Sequence, residues 1–264
     1  APVYDSYVPA IDTVGGRAVA AHLRFPDYAP DWAEVAKLIT LKTRMIIINS
    51  PHNPTGSLLT TADLDQLAKV VRGSDIAILA DEVYEHIVFD GERHASVCGH
   101  PELAARSIVV SSFGKTYHIT GWKIGYVVGP AALMAEFRKV HQFNVFTVHT
   151  PSQLALAEYM QDASRHLKLA AFYQQKRDFF RALLGATPFE LLPCRGTYFQ
   201  LAGYAAISDR PDREFAEGMT REVGVAVIPV SVFNPDGRDD RVVRFCFAKQ
   251  GETLAAAAER LSRL

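Results

Sequence analysis

Four short, wholly apolar runs decide what this chain can fold into: residues 45–48 (Met45-Ile46-Ile47-Ile48), 76–80 (Ile76-Ala77-Ile78-Leu79-Ala80), 108–110 (Ile108-Val109-Val110) and 124–128. They are too short for helices and rich in β-branched residues, and no polar alternation breaks them, which fits strands buried on both faces. Between the first two, Thr60-x-x-Asp63 approximates a capping box ahead of Leu64, Leu67, Ala68 and Val71, an i, i+3, i+4, i+7 stripe that predicts a helix. Residues 17–25 read as a strand, 31–41 as a helix with Trp32, Val35, Ala36 and Ile39 on one face, and 130–142 as another helix. Strands alternating with helices at this spacing require crossover connections, so the predicted class is α/β with a mostly parallel sheet.

Beyond about Met160 the pattern changes. A long amphipathic helix is predicted over 166–184, with Leu169, Tyr173, Phe180 and Leu184 on one stripe. Strands follow at 197–201, 225–228 and 242–247, with helices over 213–222 and 252–264. The predicted division is a large domain over 1–160, then a connecting helix and a smaller α+β domain over 161–264.

The 264 residues are 48% apolar and 22% charged, which supports a sizeable core and excludes disorder, coiled coil and collagen. Basic residues number 28 against 29 acidic ones, interspersed along the chain, so no electrostatic footprint for nucleic acid or anionic lipid is visible. The expected partners are small molecules or further copies of the chain. Cys98, Cys194 and Cys246 are too few and too scattered for a disulfide framework, and the odd count suits a reducing compartment such as the cytoplasm. No window approaches the length of a membrane-spanning apolar segment, and the opening Ala1-Pro2-Val3-Tyr4-Asp5 lacks the basic start and apolar stretch of a signal peptide.

Ligands of open parallel sheets bind beyond the carboxyl ends of the strands, and three successive strand ends here carry unusual residues. They are Asn49-Ser50-Pro51-His52-Asn53-Pro54-Thr55-Gly56, Asp81-Glu82-Val83-Tyr84, and Ser112-Phe113-Gly114-Lys115. Singly, each has a plain structural reading as a tight turn, a helix cap or a solvated lysine. Jointly they bring an amide, a carboxylate, a phenol and an amine to one crevice. A lysine amine can form a Schiff base with an aldehyde cofactor, and a carboxylate opposite a pyridine nitrogen keeps it protonated, so that the ring accepts electrons. An amide and a phenol suit the ring hydroxyl, while a hydroxyl three residues before the lysine, with a cation nearby, suits a phosphate. The set describes pyridoxal 5'-phosphate. Arg244 lies inside the apolar run 242–247, where an arginine is seldom buried without a partner. A structural ion pair and a substrate carboxylate both answer that need, and the planar guanidinium fits a carboxylate with two hydrogen bonds.

The runs NSPHNPTG, DEVYEHIVFDG, SSFGKTYHITGWKIGYVVGP, CRGTYF and VVRFCFAK resemble the fold-type I aminotransferases of class I/II, within them the methionine and kynurenine aminotransferase group, from Tyr4 to Leu264. The resemblance implies that Lys115 holds the cofactor covalently, that Asp81 pairs with its pyridinium nitrogen, and that Asn53 and Tyr84 bond its ring oxygen. It further implies phosphate contacts from Ser112 and Lys123, stacking of Tyr4 on the ring, and a grip on the substrate α-carboxylate by Arg244 with Asn53 beside it. Many aspartate-type relatives carry arginine at the position of Lys123, so here a point charge replaces a bidentate fork. The implied reaction is ping-pong, Schiff-base transfer of an amino group from a large apolar donor, such as methionine or an aromatic amino acid, to a 2-oxo acid, in a homodimer. Phe146, Tyr198 and Phe199 are candidates for lining the side-chain pocket.

The same resemblance implies a segment upstream of Tyr4 with a Gly-Ala-Thr-type turn, where helix N-terminal amides hold the cofactor phosphate. No such turn occurs here and Gly15-Gly16 is unsuitably placed, so the expectation is an N-terminally truncated member with weakened cofactor binding and an exposed apolar face. Other readings are a β-lyase acting on cysteine conjugates with the same lysine, and a non-catalytic ligand sensor on the same fold. Ser112-x-x-Lys115 also matches an acyl-enzyme signature with Ser112 as nucleophile, but its Ser-Asp-Asn and Lys-Thr-Gly partners are missing. His94, Cys98 and His100 lack a fourth ligand at metal-site spacing and read as loop residues.

Overall fold

A computed structural model describes residues 1–264. The chain begins with α1 (Tyr7–Thr13), the short antiparallel pair β1 (Leu23–Arg24) and β2 (Ala29–Pro30), and α2 (Trp32–Leu38). Then come β3 (Met45–Asn49), α3 (Thr61–Val71), β4 (Ala77–Asp81), α4 (Pro101–Ala104), β5 (Ser107–Ser112), α5 (Phe113–Thr116) and β6 (Gly125–Val128). Helices α6 (Ala131–Asn144), α7 (Thr150–Tyr159), α8 (Ser164–Leu167) and α9 (Leu169–Leu184) lead to β7 (Glu190–Leu191), β8 (Phe199–Gly203), α10 (Asp212–Gly218), β9 (Ile228–Pro229), β10 (Val242–Cys246) and α11 (Gly251–Leu261).

Two compact units result: one of residues 1–38, 52–58 and 172–264, the other of residues 39–51 and 59–171. In the second unit β3, β4 and β5 pair in parallel in the order β3-β4-β5-β6, with Asn49 opposite Asp81 and Asp81 opposite Val110. The apolar runs form the predicted strands, but burial on both faces is not met: Met45 and Val128 are exposed and Ile46, Ile47 and Ile48 only half-buried, while β4 and β5 alternate buried and half-buried positions. Helix α3 starts where the capping box puts it: the Thr60 hydroxyl accepts the Asp63 N–H at 3.2 Å, and the Asp63 carboxylate accepts the Thr60 N–H at 2.8 Å. Its stripe Leu64, Leu67, Ala68 and Val71 is buried. Strand β6 runs antiparallel to β5. Only the short α5 and the 3₁₀ turn Thr120–Trp122 connect them, which leaves no crossover helix to return the chain in parallel.

In the first unit the sheet is antiparallel, in the order β7-β8-β10-β9. Tyr28 packs in one core with Leu192, Leu201, Val230 and Val242, and the Val3 N–H bonds the Phe233 carbonyl at 2.8 Å. These contacts place residues 1–38 with the C-terminal sheet, whereas the sequence division grouped them within 1–160. The boundary near the long helix falls between residues 171 and 172. Several elements differ from expectation. Of the strand over 17–25 only Leu23–Arg24 pairs, and the helix over 166–184 is split at Lys168 into α8 and α9. The strand placed at 197–201 begins at Phe199, because Thr197 takes a left-handed φ of 66°. Strand 225–228 is pared to Ile228–Pro229, and helix 213–222 is α10 continued by a π-helical turn, Met219–Val223. Helices α6 and α7 leave Val140, Phe143 and Leu154 mostly exposed, and no helix is long and apolar enough to cross a membrane.

Candidate active site

In the sheet of the second unit the parallel register brings the carboxyl ends of β4 and β5 to one edge. Asp81 closes β4. Its carboxylate accepts the Val83 N–H at 3.1 Å, and its carbonyl accepts Asn49 Nδ2 at 2.9 Å and the Ser50 N–H at 3.1 Å, which fixes the turn that follows. Tyr84, in that turn, is buried. Ser112 closes β5 and caps α5: its Oγ accepts the Gly114 N–H at 3.1 Å and donates to the Ile124 carbonyl at 3.3 Å. The cap sets Lys115 in the single helical turn at the end of β5. A side chain on Gly114 would come within 2.9 Å of the Thr120 Cα, so only glycine permits this close turn. Lys123 is exposed, in a left-handed conformation of φ 56° that ends the 3₁₀ turn.

Two acidic residues brace this edge. Buried Glu82 accepts the Val97 N–H at 3.1 Å and pairs with His94 Nε2 at 2.8 Å. Glu85 Oε1 accepts Ser111 Oγ at 2.9 Å and also the Tyr126 hydroxyl. Burial, then the Glu85 carboxylate, push the Tyr126 phenol up to about 12. His100 pairs with Asp65 at 3.3 Å and Cys98 is exposed, so the imidazoles of His94 and His100 face different carboxylates. No group of three or more His, Cys, Asp or Glu side chains is arranged to hold a metal ion.

The first unit carries Asn53, Arg244 and Tyr4. Arg244, on β10 opposite Leu201 of β8, donates from Nη1 to Asn53 Oδ1 at 2.6 Å. Its Cζ lies 4.0 Å from the Phe199 ring centroid and 4.9 Å from that of Phe233, two cation–π contacts of about 0.5–2 kcal/mol each. Asn53 is buried in a turn closed by the Gly56 N–H on the His52 carbonyl, 2.8 Å, and by His52 Nδ1 against Thr55 Oγ1, 2.7 Å. Burial lowers the His52 pKa to about 3, so its ring is neutral. Tyr4 is partly exposed and meets Tyr7 edge-on at 5.5 Å. Of the proposed pocket aromatics, Phe199 lies against the guanidinium, Tyr198 packs on Tyr173 at 5.6 Å and Phe146 is 80% exposed. The sequence reading passed over Phe233, which sits in an irregular 3₁₀ turn with no periodicity to mark it, and over Glu82 and Glu85, whose flanking of Asp81 and Tyr84 was the available signal.

A parallel sheet whose adjacent strand ends offer a carboxylate, a phenol, a capping hydroxyl and a primary amine defines a class: the donor set fits pyridoxal 5'-phosphate, with an acid for the ring nitrogen and an amine for the aldehyde. The chain belongs to the aminotransferase class I and II family, whose profile matches residues 1–261, and it is a pyridoxal-phosphate-dependent amino-acid aminotransferase. It is 49% identical over 264 residues to the methionine aminotransferase of Escherichia coli, a match covering 100% of this chain and 68% of that one. Rat kynurenine–oxoglutarate transaminase 1 is 32% identical over 99% of this chain and 70% of its own. The crystal structure of YbdL from Escherichia coli, which identified a methionine aminotransferase function, superposes with a TM-score of 0.97 at 49% identity, covering 100% of this chain and 70% of that one. N-succinyldiaminopimelate aminotransferase from Mycobacterium tuberculosis gives 0.92 at 36% identity, over 99% and 69% of the two chains. Neither the β-lyase, the sensor nor the Ser112 acyl-enzyme reading is favoured by these relatives.

Proposed function

We propose that this aminotransferase takes its amino group from methionine or another large apolar amino acid and passes it to a 2-oxo acid. The observation that carries the choice of donor is the 49% identity to a methionine aminotransferase along the whole chain. When bound, pyridoxal phosphate supplies an electron sink for the pair left at the substrate Cα. In this reading Asp81 holds the proton on the ring nitrogen, Tyr84 and Asn53 orient the ring oxygen, Ser112 and Lys123 hold the phosphate, and Tyr4 covers the ring face. Lys115 is the residue that would hold the cofactor's aldehyde through Nζ, and its amine would be the base that moves the proton at the substrate Cα. Arg244 would take the substrate carboxylate with its guanidinium, which Phe199 and Phe233 contact and Asn53 holds through Nη1.

The reading includes a homodimer, in which a second copy covers the exposed Val140, Phe143 and Leu154, and a cytoplasmic location, supported by three cysteines that form no disulfide. The test is an exchange assay with one 2-oxo acid and methionine, phenylalanine or aspartate as donor, run beside pyruvate release from a cysteine conjugate. Methionine or phenylalanine giving the highest kcat/KM is the expected result. Preference for aspartate, or elimination outrunning exchange, overturns it. Sedimentation of the purified protein as a monomer overturns the dimer.

A further inference from the structure

We infer that Arg177 is a positioning residue for the substrate-carboxylate grip, acting through a backbone clasp; the inference rests on the reading of Arg244 given above. Arg177 lies on the core face of α9 beside Tyr173, Phe180 and Leu184 and is 7% exposed. Burying a guanidinium is costly unless its donors are placed. Its acidic partner, Asp178, is the next residue and is 53% exposed, with contacts of 2.8 and 2.7 Å. A surface carboxylate so close could be met without burial. The inward Nη1 goes elsewhere, to the Cys194 carbonyl at 2.9 Å.

Beyond Cys194, the N–H groups of Arg195 and Gly196 both donate to one oxygen, the Gly56 carbonyl, each at 3.0 Å. Gly56 has φ 72°, and a Cβ there would stand 3.1 Å from the Gly196 carbonyl, so the two loops meet backbone to backbone. Gly56 closes the turn that carries Asn53, and Asn53 fixes Arg244 Nη1. Cys194 also donates from Sγ to the Phe199 carbonyl at 3.1 Å, and the Phe199 ring covers the guanidinium of Arg244. The segment that Arg177 holds therefore reaches both the hydrogen-bond partner and one flanking ring of Arg244. Every link lies within one unit of the fold.

Arg181 provides an internal control. It sits one turn further along α9 and donates from Nη1 to the Leu192 carbonyl at 2.9 Å and to Gln200 Oε1 at 2.6 Å, but neither partner bonds Gly56. The experiment measures KM and kcat for the amino acid and the 2-oxo acid in the pyridoxal-phosphate-loaded protein and in Arg177→Met, Arg177→Lys, Gly56→Ala, Arg181→Met and Arg244→Lys, together with thermal midpoints. Arg177→Met and Gly56→Ala are expected to raise KM for both acids about tenfold with kcat within a few-fold, since the grip loosens while the chemistry stays in place. Arg177→Lys restores part of the loss. Turnover of an amine that lacks a carboxylate stays at the parent level, and Arg181→Met lowers the thermal midpoint with KM unchanged. Equal KM changes in Arg177→Met and Arg181→Met, or a parent-like KM in Gly56→Ala, overturn the inference while leaving the carboxylate reading intact. A parent-like KM in Arg244→Lys removes that reading, and the inference with it.

Discussion

His52 carries the turn that presents Asn53, and its ring is buried against Thr55 Oγ1, with burial lowering its pKa from 6.5 to about 3. In the unfolded chain the same ring titrates near 6.5, so between pH 6.5 and about 3 the unfolded state holds one proton more than the folded one. Stability must then rise with pH through that window. It is fully present above 6.5 and is lost on acidification, at about 1.4 kcal/mol per pH unit for a single proton. From pH 7 to pH 5 the expected loss from this residue is about 2 kcal/mol. Urea unfolding across that range, in the parent and in His52→Asn, isolates the contribution, since the two proteins share every other ionisable residue. The variant is less stable throughout but its free energy falls about 2 kcal/mol less over the interval. Parallel slopes refute the reasoning, as does an NMR titration that finds the folded His52 ring protonating near pH 6.

Lys115→Ala should lower exchange by on the order of 10²–10⁴-fold, the loss expected for a positioned acid–base group. After borohydride reduction the parent peptide holding Lys115 should carry the phosphopyridoxyl mass; finding it on another lysine contradicts the assignment. Arg244→Lys replaces a two-pronged donor with a point charge and should raise KM for amino acid and oxo acid by roughly 10²-fold, more than any change in kcat, as read from steady-state kinetics. Thr60→Ala removes the cap of α3 and should lower stability by about 1 kcal/mol with unchanged KM, as measured by urea unfolding and initial rates.

The sequence was most legible where one local rule decided the outcome. The apolar runs became β3, β4 and β5, and Thr60 with Asp63 started α3, because a short β-branched or apolar run and a reciprocal cap are written in adjacent residues; the two-sided burial expected of β3 is absent, since Met45 is exposed. Asp81, Ser112 and Lys115 could be grouped because parallel strands deliver their carboxyl ends to one edge. Legibility stopped where partners are distant in the chain. The reversal of β6 depends on a connection too short for a crossover, and Phe233 meets Arg244 from an aperiodic turn. Phe199 was noticed, but for pocket lining; only the β8–β10 register brings it to the guanidinium.

The two hydroxyls that converge on Glu85 Oε1 come from residues on either side of the segment bearing Lys115, and Glu85 itself directly follows Tyr84 and lies four positions beyond Asp81. One oxygen thus rivets both legs of the lysine loop to the stretch that supplies the acid and the phenol. A Glu85→Gln substitution, which weakens that shared acceptor, is therefore expected to loosen the Lys115 loop relative to the Asp81–Tyr84 stretch, seen as faster amide hydrogen exchange across residues 112–125.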